Sequence, residues 1–282
     1  MKLTAPTVVK DLLARYGLRP SKGLGQNFLI NEHYLEQIVV AGELEPEDLV
    51  LEIGPGLGVL TRELASAVRR VIAIEKDRHL EPVLKEVLQS HPQVELVFQD
   101  ALQIDYRRVV GDKRPVKVVA NLPYYITTPL ITRLLESEIP WAGLVFLVQA
   151  EVAQRLLAGP GSKEYGVLSV MVGWEYEVAI VTRVPPKAFY PAPKVMSTVV
   201  KLTRRRNDPL PVDREWLGQV LRAALGQRRK TLPNALTGGL SLSKERVEAA
   251  LSHLGLNKGI RGENLTPEEF MWLASLLAEE VR

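Results

Sequence analysis

The sequence contains no cysteine among its 282 residues, and it has only four histidines. Disulfides, thiolate nucleophiles and cysteine-type zinc sites are therefore excluded, and the scattered histidines offer no metal-ligand spacing. Long apolar runs are missing too, since the longest, around residues 143–148, is far below the roughly 18 residues of a membrane-spanning helix. Lys10, Asp11 and Arg15 interrupt the first apolar residues before a signal-peptide core can form. We therefore expect a cytoplasmic protein without a bound metal.

A strong excess of charge of one sign is also lacking. The net charge is +3, with 46% hydrophobic and 24% charged residues, which is typical of a globular domain that buries a core. Such a charge permits a nucleic-acid partner without requiring one. The length suits one α/β catalytic domain plus a smaller appendage, taking roughly 100–200 residues for a domain.

Short β-branched runs alternate with helical patterns over the first half of the chain. This alternation predicts a parallel sheet with helical crossovers, and the runs are residues 49–53, 71–75, 94–98, 116–120 and 144–148. Two later runs, near 177–184 and 197–202, are joined by a connection too short for a crossover, so we expect an antiparallel end to the sheet. That connection, residues 185–194, is rich in proline and is predicted to be a stiff loop without regular structure.

Beyond about residue 203 the strand pattern disappears, and amphipathic helical patterns appear near 213–225, 243–254 and 267–281. Thr266 is placed as the N-cap of the last helix, with Glu269 completing a capping box. Residues 203–209 have the composition of an exposed linker. We therefore expect two domains, residues 1–205 and 206–282, the second being helical.

A glycine-rich loop, residues 52–58, follows the first predicted strand and indicates a ligand pocket, because Gly54 and Gly56 let the backbone turn sharply and approach a ligand. A dinucleotide fingerprint would have its third glycine at position 59, where the chain has Val59, which weakens a nicotinamide interpretation. The lysine and hydroxyl residue of a phosphate-binding P-loop are missing as well.

Acidic residues end the next two predicted strands. Glu75 lies 21 residues after Gly54, the separation at which a carboxylate can accept both ribose hydroxyls, and Asp100 can accept from an adenine amine. Either acid alone is as readily explained as a solvated turn residue. Together with the glycine loop they predict a nucleoside site, to which we assign the adjacent Lys76 and Ala101 as well.

The fourth predicted strand ends in Asn121, Leu122, Pro123 and Tyr124, and this segment is the candidate for catalysis. The lone pair of an adenine amine is delocalised into the ring, so acceptors at the amine hydrogens would draw the nitrogen toward tetrahedral geometry. The Asn121 oxygen and a backbone carbonyl of the Leu122-Pro123 segment can accept those hydrogens, while the Tyr124 ring can stack on the base. Direct displacement would then need no strong base.

The same four residues could form an ordinary turn with a core tyrosine, and only their position at a strand end favours the catalytic interpretation. Phe189 has two interpretations as well. It is either a hydrophobic core residue or, because prolines bracket it in a stiff loop, a second aromatic wall for the base.

In order along the chain, these motifs resemble the small-subunit ribosomal RNA adenine dimethyltransferases, whose relatives include erythromycin-resistance methyltransferases and mitochondrial transcription factors. The resemblance extends over nearly the whole chain, and its marks are residues 22–29, 52–58, 75, 100, 121–124 and 185–195. It implies an α/β, Rossmann-like, seven-stranded methyltransferase domain with a small C-terminal all-helical domain. The implied cofactor is S-adenosylmethionine, contacted by Asn27, Leu29, Gly54, Glu75, Asp100 and Asn121.

The resemblance also implies that Tyr124 and Phe189 sandwich a target adenine, and that two adjacent adenosines near the 3′ end of 16S ribosomal RNA become N6,N6-dimethyladenosine during small-subunit biogenesis. The Asn-Leu-Pro-Tyr form and the helical region are closer to the small-subunit enzymes than to the resistance enzymes. A large-subunit adenine methyltransferase and a non-catalytic RNA-binding assembly factor are the alternatives.

Basic residues form three clusters, and a charge run is more often a solvated face than a binding site. Because the net charge is modest, we nevertheless expect local clusters to contact phosphates of a structured RNA. The partner is thus predicted to be ribosomal RNA in the small subunit or its precursor, bound by a monomer. The clusters are Lys10, Arg15, Arg19 and Lys22, then Arg204, Arg205 and Arg206, then Arg228, Arg229 and Lys230.

Overall fold

The computed structural model describes residues 2–21, 23–111, 116–137, 139–205 and 212–278. Within these residues the strands are β1 (Phe28–Leu29), β2 (Leu49–Ile53), β3 (Arg70–Glu75), β4 (Val94–Phe98), β5 (Val116–Asn121), β6 (Gly143–Gln149), β7 (Tyr176–Val184), β8 (Phe189–Tyr190) and β9 (Ser197–Arg204). The helices are α1 (Pro6–Arg15), α2 (Glu32–Ala41), α3 (Val59–Ala67), α4 (Glu81–Val87), α5 (Tyr106–Val110), α6 (Thr127–Glu136), α7 (Ala150–Leu157), α8 (Val167–Glu175), α9 (Arg214–Leu225), α10 (Leu232–Gly239), α11 (Lys244–His253) and α12 (Pro267–Ala278). No helix in the described part of the chain is long and apolar enough to span a membrane.

Seven strands form one mixed sheet in the order β4-β3-β2-β5-β6-β9-β7. The five strands from β4 to β6 are parallel, and β9 pairs antiparallel with β6. The α/β, Rossmann-like fold expected from the sequence is thereby confirmed, including the antiparallel end. Strand order reverses between β2 and β5, so the connections leave these two strands in opposite directions. Such a switch point opens a crevice at the carboxyl edge of a sheet.

The strands that flank this crevice are buried. All five residues of β2 are buried, and so are residues 118–120 of β5. A parallel strand covered by helices on both faces is nearly continuous in hydrophobic residues, which is why these runs could be found in the sequence. The sheet therefore gives a rigid base for the loops at its carboxyl edge.

The proline-rich connection differs from the expectation of a loop without regular structure. Residues 186–188 form a single 3₁₀ turn, and Phe189 and Tyr190 form the short strand β8, which pairs antiparallel with β1. Both aromatic residues keep their backbone N–H groups, so they can pair although prolines surround them.

Contacts divide the chain into two compact units. The first consists of residues 1–153 and 178–204, and the second of residues 154–177 and 205–282. The second unit thus includes residues 154–177, whereas the sequence-based division assigned them to the first domain. Non-local bonds explain the difference: the Tyr165 hydroxyl donates to the Leu265 carbonyl at 2.7 Å, and the Gly161 N–H donates to the Glu263 carbonyl at 2.7 Å.

Three helices of the second unit, α9, α11 and α12, begin within one residue of where the sequence predicts. The Glu269 N–H donates to the Thr266 hydroxyl and the Thr266 N–H donates to the Glu269 carboxylate, so the predicted capping box is confirmed. The last predicted helix is described only to Ala278, and its remaining residues lie outside the described range. Helix α10 was not predicted, because its sequence contains Pro233 and ends in two glycines, a composition typical of loops.

Candidate active site

A cleft opens where the strand order reverses, and it encloses about 980 Å³ when the space open to solvent at its mouth is included. Its walls come from the carboxyl ends of β2, β3, β4 and β5 and from the segment that precedes and includes β1. Every residue that the sequence assigned to the cofactor lines it, namely Asn27, Leu29, Gly54, Gly56, Glu75, Lys76, Asp100, Ala101 and Asn121.

The glycine loop has a backbone that other residues adopt only with strain. Gly54 has φ of +74° and Gly56 has φ of +58°. A Cβ on Gly54 would lie 3.2 Å from the Pro123 ring, and one on Gly56 would lie 3.1 Å from the Phe28 ring. Side chains at these positions would therefore be both strained and crowded, and the glycines keep the floor of the cleft open.

Glu75 ends β3 and is 7% exposed. Its carboxylate accepts hydrogen bonds from the Gly56 N–H at 3.2 Å and from the Asp77 N–H at 2.8 Å. Burial raises the pKa of Glu75, and these backbone donors act in the opposite direction. Each carboxylate oxygen has a second lone pair, so Glu75 can still accept from two hydroxyls in the cleft.

Asp100 follows β4 and is paired with Lys76, whose ammonium lies 2.8 Å from its carboxylate. The hydrogen bond from Lys76 holds the pKa of Asp100 below its ordinary value, so the group is ionised at neutral pH. Its other oxygen accepts from the Leu102 N–H at 3.0 Å. A fixed carboxylate thus stands at the adenine end of the predicted nucleoside site.

Asn121 is the last residue of β5, and its side chain is oriented by the opposite wall. The amide nitrogen donates to the backbone carbonyl of Asn27 at 3.3 Å. A side-chain amide has a donor nitrogen and an acceptor oxygen. Because the nitrogen of Asn121 is engaged with Asn27, Oδ1 is left to accept from another donor. This is the acceptor that the sequence interpretation requires.

Of the two carbonyls in the Leu122-Pro123 segment, one is already engaged. The Pro123 carbonyl accepts from the Ile126 N–H at 3.2 Å and from the Thr127 hydroxyl at 3.0 Å. A carbonyl oxygen has two lone pairs, and both are accounted for. The Leu122 carbonyl is therefore the better candidate for the second acceptor.

Tyr124 lines the cleft with its ring and uses its hydroxyl internally. That hydroxyl lies 2.5 Å from the Ser197 hydroxyl at the start of β9. Burial raises the pKa of Tyr124 to about 12, so the phenol stays neutral. An aromatic face, and not a titrating group, is what Tyr124 presents.

Phe189 is not part of the cleft wall. Its side chain is 2% exposed and packs in the hydrophobic core of the first unit, while its backbone pairs with Leu29. Strand β8 directs the ring into the core, so the second stacking wall that the resemblance implies for Phe189 is not formed in this structure and stays a prediction. The hydrophobic-residue interpretation describes its present position.

Among the further residues that line the cleft, Gln26, Glu52 and Tyr125 are polar side chains to which the sequence interpretation assigned no role. Glu52 is 1% exposed, and burial is the main cause that raises its pKa to about 8. Its place two residues before Gly54, in a strand otherwise apolar, was the signal available in the sequence. The ring of Tyr125 is 43% exposed at the mouth of the cleft.

The basic clusters contain paired and exposed cations. Arg15 is bonded to Glu86 at 3.0 Å, while Arg19 is exposed. Arg228 donates to the Glu263 carboxylate at 2.7 Å, to the Ser162 carbonyl at 2.9 Å and to the Lys163 carbonyl.

Arg228 therefore holds together parts of the second unit, and its predicted role as a free phosphate contact needs correction. Arg229 and Lys230 are exposed, as are Arg204 and Arg205. Lys22 and Arg206 lie outside the described residues.

Comparisons with known proteins identify the family of this chain. The family model described as "Ribosomal RNA adenine dimethylase" matches residues 18–279. The chain is 45% identical to "Ribosomal RNA small subunit methyltransferase A" of Alkaliphilus metalliredigens, covering 98% of each chain, and 47% identical to the protein of the same name in Moorella thermoacetica, covering 94% of this chain and 95% of that one. A solved dimethyladenosine transferase from Plasmodium falciparum aligns with a TM-score of 0.74 at 27% identity, covering 87% of this chain and 95% of that chain.

Proposed function

Because this chain belongs to the ribosomal RNA adenine dimethylase family and is a ribosomal RNA methyltransferase, we propose how its cleft carries out that reaction. The enzyme transfers methyl groups from S-adenosylmethionine to the N6 amines of two adjacent adenosines near the 3′ end of 16S ribosomal RNA. The product is N6,N6-dimethyladenosine, formed in the cytoplasm during small-subunit biogenesis. The observation that carries this proposal is the convergence of Gly54, Glu75, Asp100 and Asn121 on one cleft at the switch point.

The cleft fits S-adenosylmethionine in shape and in donor set. Any side chain at Gly54 or Gly56 would narrow the floor of the cleft, so the glycines leave room for the ligand there. The buried Glu75 can accept hydrogen bonds from the two ribose hydroxyls. Asp100 can accept from the adenine amine, and Asn27, Leu29, Gly56, Lys76 and Ala101 complete the walls. When bound, S-adenosylmethionine supplies an electrophilic methyl group on a sulfonium.

The residues around Asn121 act on the amine of the target base. Asn121 Oδ1 and the Leu122 carbonyl accept the two amine hydrogens, which withdraws the nitrogen lone pair from the ring and directs it outward. Since both acceptors are held by the backbone of β5 and by the bond to Asn27, they need no rearrangement during the reaction. Pro123 stiffens the turn between them and Tyr124.

Tyr124 stacks on the extruded adenine and holds it in line for displacement. Its neutral phenol does not act as a base: the positive charge that develops on nitrogen is offset by the two acceptors until the N6 proton passes to solvent water. The monomethylated amine keeps one hydrogen, which one of the two acceptors can bind, so the same site supports a second transfer. If Phe189 contributes a second wall, it must leave the core when RNA binds.

The RNA partner is held by exposed cations on each unit, with the helical unit as the RNA-recognition part of a monomer. Arg229 and Lys230 in that unit, and Arg204 and Arg205 at the two sides of the division, are the exposed groups in the predicted clusters. Target adenosines in an unpaired loop cost little to extrude, and the surrounding fold of the RNA provides the remaining contacts.

Labelled methyl transfer tests the proposal against its alternatives. Small ribosomal subunits from cells lacking this protein should accept about four methyl groups each, two on each adenosine, while large subunits accept none. Digestion of the labelled RNA and mass spectrometry should locate the label in N6,N6-dimethyladenosine. Transfer only to large subunits would support a large-subunit enzyme, and RNA binding without transfer would support an assembly factor; either result would contradict the proposal.

A further inference from the structure

The partner of the Tyr124 hydroxyl is a residue that no motif considered above identifies. Ser197 lies 73 positions away in sequence, and its hydroxyl is 2.5 Å from that of Tyr124. Ser197 is fully buried, and its ladder partner on β6 is Gln149. Its position is thus fixed by the antiparallel end of the sheet.

Three strand ends meet at this point. The Leu122 N–H, just after β5, donates to the Leu147 carbonyl of β6 at 3.1 Å, and the Ala150 N–H donates to the Met196 carbonyl at 3.0 Å. These bonds join the turn that contains Tyr124 to the start of β9 through β6. The distance between the two hydroxyls is therefore set by the sheet and not by a flexible loop.

A tyrosine side chain has only two rotatable bonds before its ring. When the backbone fixes one end and a buried hydroxyl fixes the other, the plane of the ring is fixed as well. Without the Ser197 hydroxyl, the buried phenol oxygen would lack a protein hydrogen bond. The ring would then turn toward another hydrogen-bond partner. The Ser197 hydroxyl thus decides which face of Tyr124 the cleft presents.

We propose that Ser197 is a positioning residue for methyl transfer, which acts by holding the Tyr124 ring in the plane that the target adenine stacks on. The inference rests on the proposed function, because it needs Tyr124 to carry the adenine. Ser197 itself touches neither the base nor the methyl donor. Its effect should appear in the rate of transfer and not in cofactor binding.

A double-mutant cycle with small ribosomal subunits as substrate tests the proposal. Ser197→Ala and Tyr124→Phe remove the same bond from opposite ends, and each should lower kcat about five- to tenfold, the range for losing one hydrogen bond. The KM for S-adenosylmethionine and the Kd for S-adenosylhomocysteine should stay unchanged. Because both variants lose one interaction, the double variant should be no slower than either alone.

Thr198→Val is the matched control. Thr198 is the next residue of β9, is 4% exposed and points to the opposite face of the sheet, so this variant loses a buried hydroxyl that cannot reach Tyr124. Its kcat should equal that of the wild type. If Ser197→Ala does not fold, Tyr124→Phe alone must still show the loss.

Multiplying losses in the double variant, or a wild-type kcat for Tyr124→Phe, would overturn the role of Ser197. Tyr124→Ala separates this failure from failure of the proposed function. A loss of at least a hundredfold in Tyr124→Ala, with multiplying losses in the cycle, rejects only the Ser197 proposal. Full activity of Tyr124→Ala rejects the stacking assignment itself.

Discussion

At the scale of single residues, the site combines carboxylates whose environments push their pKa values in opposite directions. Lys76 keeps the pKa of Asp100 low, while burial raises the pKa values of Glu52 and Glu75. Glu75 has backbone donors for both oxygens, whereas Glu52 Oε2 makes no hydrogen bond among the described residues, and the nearby Thr61 hydroxyl offsets only part of the effect of burial on the Glu52 pKa. Glu52 is therefore protonated in the free protein near neutral pH, and it contributes a pH-dependent cost to stability.

Replacing Glu52 by glutamine should reveal this cost. The pKa of Glu52 is about 8 in the folded state and 4.5 ordinarily, so the folded state binds the proton more tightly. Below about pH 4.5 the carboxyl is protonated in both states and costs nothing; between 4.5 and 8 only the unfolded chain loses the proton, so stability falls over this interval and stays low above it. Glu52→Gln should thus match the wild type at pH 4.5 and be more stable by a few kcal/mol, roughly 2–5, at pH 8.5.

Urea unfolding of the free protein at the two pH values measures the difference. Glu95→Gln is the control, because Glu95 is half exposed and pairs with Arg70 on the same sheet. The difference in free energy of unfolding between Glu95→Gln and the wild type should not increase between pH 4.5 and pH 8.5. A constant difference between Glu52→Gln and the wild type at both pH values would contradict the account.

At the scale of elements, the glycine loop determines whether the cofactor can enter. Gly54→Ala places a methyl group 3.2 Å from the Pro123 ring at a positive φ. We expect it to weaken S-adenosylhomocysteine binding at least tenfold, measured by calorimetry. Gly111→Ala is the matched control, since Gly111 has φ of +65° and no atom of the described residues lies within 4 Å of its Cβ position.

The control should lose stability, by about 1–3 kcal/mol, yet bind the ligand as the wild type does. If both variants bound S-adenosylhomocysteine with equal affinity, backbone strain and not the shape of the cleft floor would determine ligand binding, and the account would be contradicted.

Helix α12 provides a test of local stability. Thr266→Ala removes the hydroxyl that accepts from the Glu269 N–H and should lower the free energy of unfolding of the helical unit by about 1 kcal/mol. Thr231→Ala is the control, because Thr231 is the N-cap of α10 but makes no side-chain capping bond. Similar losses at both positions, measured by denaturant unfolding, would count against the capping interpretation.

The elements also show what the sequence could predict. Strand β2 was found because its buried run is continuous, and the site followed from polar residues at strand ends, where parallel topology brings them together. Helix α10 was missed because local composition favoured a loop. The burial of Phe189 and its pairing with Leu29 depend on two segments about 160 positions apart, which no local pattern contains.

At the scale of the whole molecule, the exposure of individual cations says more about RNA binding than the net charge does. The sequence could locate the basic clusters but not the partner of each cation, since that depends on the folded helical unit. Arg228 is occupied by Glu263 and by two backbone carbonyls, whereas Arg229 and Lys230 are exposed. The RNA-binding prediction therefore applies to Arg229 and Lys230 and no longer to Arg228.

Neutralising Arg229 and Lys230 together, each to glutamine, should weaken binding to small-subunit RNA and lower the salt slope of log K by about 1.4–1.8, for two lost phosphate contacts. The double variant Lys244→Gln with Lys258→Gln has the same change in charge and is the control, because both lysines pair with Glu248. Filter binding over a series of salt concentrations measures the slopes. An unchanged slope for the first variant would contradict phosphate contact by these residues.

The central claim is that one cleft presents a methyl donor to an amine gripped by Asn121 and the Leu122 carbonyl. A crystal structure with S-adenosylhomocysteine tests it most directly. We predict ribose hydroxyls on Glu75, the adenine amine within hydrogen-bond distance of Asp100, and the sulfur facing an Asn121 whose Oδ1 points into the cleft. A ligand bound elsewhere, or an Asn121 side chain turned toward the core, would contradict the account.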